Sequence, residues 1–380
     1  MATTADYVFM ARALRLAERG LYSTDPNPRV GCVVVREGQV VGEGWHCRAG
    51  EAHAEIAALR QAGDRAAGAD IYVTLEPCCH HGRTPPCSDA LIAAGVKRAV
   101  VAMEDPNPKV AGKGATQLRQ AGIQVEAGVM HHEAVRLNPG FIRRMRGGRP
   151  WVRCKMAMSL DGRTALANGV SQWISGEAAR EDVHHWRARS SAVLTGVGTV
   201  LADDPALTVR LPPAAWEQHG CGGEIRQPVR VVMDTCLRTP PNARIFGQPG
   251  RIWIFTASDD RNAAHALSAA GASVEYVPLA PGSTGVNLGA ALQRMADEGI
   301  NEVWVEAGPT LCGALLREGL IDQLIIYMAP LLMGNAARGL FHLQPFASLA
   351  ECIGLDIADI RAVGKDWRIT AHVQRAQDSM

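Results

Sequence analysis

Apolar positions in the opening stretch DYVFMARALRLAERGL fall at Phe9, Ala13, Leu14, Ala17 and Leu21, a helical period that predicts an amphipathic helix. The period then changes. VGCVVV is a short β-branched run, REGQ supplies turn residues, and VVGEGW resumes as strand, so residues 30–45 read as a hairpin. From there AHAEIAALRQAG reads as helix, DIYVTLE as strand, PCSDALIAAG as helix, VKRAVVAME as strand, GATQLRQAG as helix and IQVEAG as strand. Strands and helices alternating at this length predict an α/β layered sheet.

Near residue 147 the texture shifts. RRMRGGRP is basic, carries glycines and ends in proline, and WVRCKMAMSLDG then opens a new strand, which places a domain boundary between 1–147 and 148–380. The second part alternates again, with strands at SAVLTG, VRVVMD, RIWIFTA, ASVEYV, EVWVEAG and LIIYMAP, and a loose stretch, RLPPAAWEQHGCGGEIRQP, interrupts it. A chain of 380 residues is long enough for two cores, and no internal repeat relates the halves.

Composition narrows the function classes. With 47% hydrophobic and 20% charged residues and a net charge of +1, the chain is of globular type and offers no electrostatic footprint for nucleic acid or anionic membrane. The first twenty residues show no basic region followed by an unbroken apolar stretch, so neither export nor a membrane span is expected, and the expected setting is the cytoplasm. Ten cysteines are too few for a disulfide scaffold of this length, and in a reducing compartment clustered Cys and His point to metal or catalysis.

One cluster stands out. LEPCCHHGRTPPC, residues 75–87, offers Cys78, Cys79, His80, His81 and Cys87, of which only some can converge on one ion because adjacent side chains diverge. Upstream, EAHAE places His53 and Glu55 at the start of a predicted helix, a third ligand and a base. Two positions along a regular helix point roughly 200° apart, so His53 must sit at the helix end for both to face one site. Cys32, Cys47, Cys154, Cys221, Cys236, Cys312 and Cys352 read as small core or surface residues.

His53-Ala54-Glu55, Pro77-Cys78 and Cys87 together resemble the zinc-dependent nucleoside and nucleobase deaminases, whose pattern is His-x-Glu followed by Pro-Cys and a second Cys. The departure is the spacing, CHHGRTPP standing between Cys78 and Cys87 where two residues are usual, and this longer loop resembles the pyrimidine deaminases of riboflavin biosynthesis. The resemblance implies zinc on His53, Cys78 and Cys87, with Cys79, His80 and His81 as loop residues. Zinc held by two thiolates and an imidazole makes water a nucleophile at working pH, and Glu55 would move the protons. It also implies that Asn27, in the turn DPNPRVG, contacts the pyrimidine. EDPNPKVAGKG is a second such turn at a strand's carboxyl end.

In the second half TGVGTV fails as a dinucleotide fingerprint, since Leu201 stands where a third glycine is needed. EVWVEAGPTLCGALL reads as strand, Gly-Pro-Thr turn and helix, either a phosphate cradle or a plain connection. KMAMSLDGRTA, SQWIS, LADDPALTVR and VEAGPTLCGALL, in this order behind the deaminase half, resemble the reductase domain of the bifunctional riboflavin-pathway enzymes. The resemblance implies an α/β chain in which a cytidine-deaminase-like three-layer domain (1–147) precedes a dihydrofolate-reductase-like, NADPH-dependent domain (148–380). Its substrate is a pyrimidine ribosyl phosphate, and its state a homo-oligomer, a dimer or tetramer. Ser171, Arg187, Leu207, Arg210 and Glu306 should then line the substrate pocket, with Arg187 and Arg210 gripping the phosphate. Cofactor contacts should come from Ala157, Trp173, Thr199 and Asp203 and from the turn Gly308, Pro309, Thr310, Leu311, Cys312 and Gly313. Lys155 and Asp161 are polar candidates, although SLDG is also an ordinary strand-end turn.

Two other readings compete. A nucleic-acid-editing deaminase would need basic stripes and exposed aromatics, which 5% aromatic residues and the near-neutral charge oppose. A non-catalytic second half, serving ligand binding or assembly, would keep only the deaminase.

Overall fold

The structure is a computed structural model and describes residues 2–80, 85–217, 222, 224–279, 282 and 284–374. Thr3 starts the first helix, α1 (Thr4–Glu18), through a capping box in which its hydroxyl accepts from the Asp6 N–H and the Asp6 carboxylate accepts from the Thr3 N–H at 2.7 Å. The chain continues as β1 (Gly31–Arg36), β2 (Gln39–Trp45), α2 (Ala54–Ala62), β3 (Asp70–Val73), α3 (Cys87–Ala93), β4 (Arg98–Val101), α4 (Lys113–Gln120), β5 (Gln124–Ala127), α5 (His131–Leu137) and α6 (Pro139–Met145). The strands form one sheet in the order β2-β1-β3-β4-β5, with the predicted hairpin antiparallel and β3, β4 and β5 parallel.

Helices cover both faces of this sheet, and glycines set the distance. Gly31 and Gly44 lie on opposite faces, since Gly44 pairs with Cys32 and side chains alternate along a strand. A Cβ on Gly31 would come within 2.0 Å of the Ala13 carbonyl oxygen of α1, and one on Gly44 within 2.4 Å of the Ala54 carbonyl oxygen of α2. The unit is therefore three-layered, helix on sheet on helix. Neither contact can yield by rotating a side chain, because both partners are backbone. Gly44→Ala should push α2 off the sheet, costing roughly 1–3 kcal/mol of overpacking. Because Glu55 rides on α2, any activity that depends on Glu55 should fall by at least about tenfold. Thermal unfolding with a parallel activity assay checks both.

The second unit contains β6 (Trp151–Ser159), β7 (Arg163–Ala165), α7 (Glu177–Arg189), β8 (Ala192–Gly196) and α8 (Val197–Asp203). Next in the chain, Pro212–Arg226, which carries α9 (Pro213–Glu217), groups with the first unit, Met1–Gly148. There the buried Trp216 stacks on Tyr22 with ring centroids 6.3 Å apart, which gives the loose stretch an anchor. The second unit resumes with β9 (Val229–Met233), β10 (Ile252–Thr256), α10 (Arg261–Ala269), β11 (Ala272–Tyr276), α11 (Leu288–Asp297), β12 (Glu302–Val305), α12 (Pro309–Arg317), β13 (Gln323–Ala329), β14 (Arg338–Gly339), β15 (Leu355–Val363) and β16 (Asp366–Val373). Nine strands form a mixed sheet ordered β11-β10-β9-β8-β12-β6-β13-β16-β15, parallel from β11 to β13 and antiparallel at β16 and β15. Helices α7 and α8 pack on one face, α11 and α12 on the other, so the central strands are buried on both sides and read as continuous apolar runs.

Candidate active sites

In the first unit His53 is the N-cap residue of α2, with an extended backbone that turns its ring away from the helix path. Glu55 follows in the first turn and is 3% exposed. Cys87 opens α3, and its backbone N–H donates to the Cys78 sulfur at 3.4 Å. Thus three residues 9 to 34 positions apart in the chain meet: His53 Nδ1 lies 3.2 Å from Cys87 Sγ and 3.6 Å from Cys78 Sγ. Cys79 points elsewhere, its sulfur at 4.0 Å from the Lys109 carbonyl, and His80 is exposed. His81 and Cys221 lie outside the described residues.

Charge in this site is tightly coupled. Hydrogen bonding with Cys87 pulls the Cys78 thiol down to about 4, against burial and with help from His53. Cys87 is pushed far up, because the thiolate of Cys78 holds the shared proton there and burial adds to the effect. Burial lifts the Glu55 carboxyl to about 7, the range in which a carboxylate both accepts and returns a proton at neutral pH. On one side stands a pair that the sequence reading missed in part. His46 Nδ1 lies 3.1 Å from the Ala52 carbonyl, which can only accept, so Nδ1 carries the proton and Nε2 accepts from Asn27 Nδ2 at 3.0 Å. This bond uses the donor end of the Asn27 amide and leaves its oxygen as the acceptor end.

In the second unit Ala157 lies near the end of β6, Thr199 and Asp203 on α8 after β8, and Glu306 after β12, three adjacent parallel strands. Glu306 follows β12 and binds Arg187 of α7 through two contacts, 2.5 and 2.8 Å, while a third Arg187 N–H donates to the Thr208 carbonyl at 2.8 Å. Three of the five Arg187 N–H donors are thus committed within the fold, which leaves two for a ligand. Lys155, a polar candidate in the sequence, is half-buried near this pair, and desolvation pushes its ammonium down against the attraction of Glu306. Leu207 is buried with φ at +54°, and Arg210 is exposed. Trp173 is 71% exposed with the Arg180 guanidinium 4.8 Å from its ring, and the neighbouring Gln172 amide donates to Asp203 at 3.1 Å. Gly308 caps α12, and Gly313 faces the His342 backbone so closely that a Cβ would come within 2.3 Å of its carbonyl oxygen.

Residues 150–369 match the family model of the RibD C-terminal domain, and residues 3–103 match that of the cytidine and deoxycytidylate deaminase zinc-binding region. The riboflavin biosynthesis protein RibD of Escherichia coli (strain K12) is 51% identical over 364 residues, covering 95% of this chain and 97% of that protein. Among solved structures, Acinetobacter baumannii RibD, form 1, aligns with a TM-score of 0.88 at 45% identity, covering 98% of this chain and 99% of that one. The chain belongs to the RibD family. It is a bifunctional riboflavin-pathway enzyme, deaminase and reductase in one polypeptide, and it uses zinc and NADPH. A more distant RibD relative is the diaminohydroxyphosphoribosylaminopyrimidine deaminase/5-amino-6-(5-phosphoribosylamino)uracil reductase of Thermotoga maritima, with a TM-score of 0.83, 32% identity and coverage of 97% and 99%.

Both RibD cofactors fit the residues present. Atoms bound to zinc at about 2.0–2.3 Å in a tetrahedron lie roughly 3.5–3.8 Å apart. The three ligand atoms of His53, Cys78 and Cys87 all lie within 4.8 Å of one another, with two edges at 3.2 and 3.6 Å, and three donors leave a fourth position for reacting water. For NADPH, α8 and α12 follow the paired strands β8 and β12 and are capped by Gly196 and Gly308 with no side chain on their first-turn amides. Two bare helix starts at one sheet edge suit a pyrophosphate. One cysteine departs from the sequence reading: Cys47 is disulfide-bonded.

Proposed function

We propose that the first unit hydrolyses the 2-amino group of 2,5-diamino-6-ribosylamino-4(3H)-pyrimidinone 5′-phosphate, and that the second reduces the ribosyl chain of 5-amino-6-(5-phosphoribosylamino)uracil to ribityl. The observation that carries this reading is the meeting of His53, Cys78 and Cys87 beside the buried Glu55. Zinc on these ligands supplies a Lewis acid that lets water attack at neutral pH. Glu55, raised to about 7 by burial, would take one proton of the attacking water and hand it to the ring nitrogen, then carry the second, from the hydroxyl that the attack leaves on the ring carbon, to the amino group, which departs as ammonia. Asn27, its NH2 held by His46, accepts from an N–H of the pyrimidine and fixes its orientation.

In the second unit NADPH supplies the hydride, and the chain's work is positioning. Ala157, Trp173, Thr199, Asp203 and the turn Gly308–Gly313 hold the cofactor; Ser171, Arg187, Leu207, Arg210 and Glu306 hold the substrate. The fixed Arg187–Glu306 pair gives the reacting sugar a rigid wall. The boundary at 147/148 divides the two activities in this reading. Thiols that must stay reduced to ligate zinc suit a cytoplasmic setting, in which the disulfide of Cys47 would open, and exposed Leu355, Ile357 and Ile360 on the edge strand β15 suit a homo-oligomer.

Cys87→Ser separates the activities. Zinc should fall from about one per chain to a small fraction after dialysis against a chelator. Ammonia release should disappear with it, and NADPH oxidation by pre-deaminated substrate should persist. Retained zinc with retained deamination would remove Cys87 from the site.

A further inference from the structure

Pro212–Arg226 leaves the second unit after Leu211, groups with the first unit, and gives way to the second again at Gln227. There it meets two turns. Asn27 lies in the loop between α1 and β1 and His46 directly follows β2, so neither sits in a helix or strand. Side chains on loops are only as fixed as what packs on the loop, and the 3.0 Å contact between these two joins one turn to the other.

The excursion holds both turns from outside. On the Asn27 side, Trp216 stacks on Tyr22, five residues upstream, with ring centroids 6.3 Å apart and both residues buried. Arg226 donates through Nε to the Tyr22 carbonyl at 3.3 Å, and its Nη1 lies 3.7 Å from a carboxylate oxygen of Asp25, two residues before Asn27. On the His46 side, the guanidinium of Arg48 donates to the Gly222 carbonyl. The same carbonyl accepts from the Trp216 indole N–H at 3.3 Å. One set of contacts, Tyr22 to Trp216 to Gly222 to Arg48, therefore runs from the turn of Asn27 to the turn of His46. None of these contacts involves His53, Glu55, Cys78 or Cys87.

We infer that Trp216 and Arg226 are positioning residues of the deaminase, which hold Asn27 and His46 at the separation where the Asn27 amide meets the pyrimidine. The deaminase then draws on chain far beyond residue 147, from a segment that follows part of the reductase sequence. Their role rests on the reading of Asn27 as a contact to the pyrimidine. Such a contact acts in the bound substrate and the transition state alike, so weakening it raises KM and spares kcat.

The test uses the full chain, the diaminopyrimidinone phosphate as substrate and a non-chelating reductant, so that the Cys47 disulfide is open in every sample. Arg226→Ala should raise the deaminase KM about fivefold and Trp216→Ala about tenfold, the scale of a hydrogen bond or an aromatic pair lost. Zinc should stay at about one per chain and kcat within about twofold. Trp216→Phe keeps a ring on Tyr22 and should restore most of the loss. Arg226 is part-exposed in a loop, so its variant should fold even where Trp216→Ala does not. Asn27→Ala should raise KM about 30-fold, and adding Arg226→Ala to it should change nothing further, because both remove one effect. Additive losses would overturn the inference, as would a fall in zinc and kcat together, which marks a general loosening of the unit. If Asn27→Ala raises KM and neither excursion variant does, the excursion is mere cover and the reading of Asn27 stands. If Asn27→Ala leaves KM unchanged, that reading falls and the inference with it.

Discussion

Glu55→Gln should abolish ammonia release, by about 10³-fold or more, with zinc still bound and the reductase still running. The size follows from general acid–base catalysis, for which a positioned proton carrier contributes about 10²–10⁴-fold. Glutamine fills the same volume in a site that leaves 3% of the glutamate exposed, so packing is preserved and only proton transfer is lost. Zinc should stay at about one per chain because the three converging donors are His53, Cys78 and Cys87, and Glu55 is not one of them. NADPH oxidation with pre-deaminated substrate should continue, since Glu55 belongs to the first unit and Arg187 and Glu306 to the second. Metal analysis and the two assays on one preparation decide the matter. Loss of zinc would make Glu55 a ligand, and loss of both activities would show that the sites are not independent.

What was legible in the sequence follows from how much chemistry restricts each residue type. His-x-Glu, Pro-Cys and a later Cys were readable because zinc accepts few donors, and the one geometric condition, His53 at a helix end, is met by its place as N-cap of α2. His46 was not readable, because a histidine just past a strand carries no signal until Asn27, nineteen positions away, is seen at 3.0 Å. The pairing of Arg187 with Glu306 was not readable, because sequence shows a guanidinium but not the carboxylate 119 positions away that it meets. Among elements, the strands β15 and β16 went unanticipated because a register shift between Ile357 and Asp359 breaks the alternation and because almost all of β15 is exposed. Helices α5 and α6, seven residues each, are too short to display a helical period beside a basic stretch.

Glu306→Gln should destabilise the second unit by about 3 kcal/mol and lower reductase kcat/KM by at least about a hundredfold. Its side chain and that of Arg187 are 15% and 11% exposed, so removing one charge strands the other where water reaches it poorly. Burial alone would raise the Glu306 carboxyl; the Arg187 charge, its hydrogen bonds, Lys155 and the Trp304 N–H together outweigh it and hold the group down at about 2 against an ordinary 4.5. A carboxyl whose folded value is depressed stabilises the fold fully above its unfolded value and loses that contribution as pH falls through the folded one. In wild type the contribution, about 3 kcal/mol for a shift of this size, should therefore drain away between about pH 4.5 and pH 2. The glutamine variant has no such group to titrate, so the stability gap between wild type and variant should be widest above pH 4.5 and narrow below it. Denaturant unfolding of the second unit's transition across that range reads the gap directly. A gap that stays constant with pH would mean that the pair contributes shape and hydrogen bonds but no net charge stabilisation. Arg187 and Glu306 would then matter to the reductase only as a scaffold.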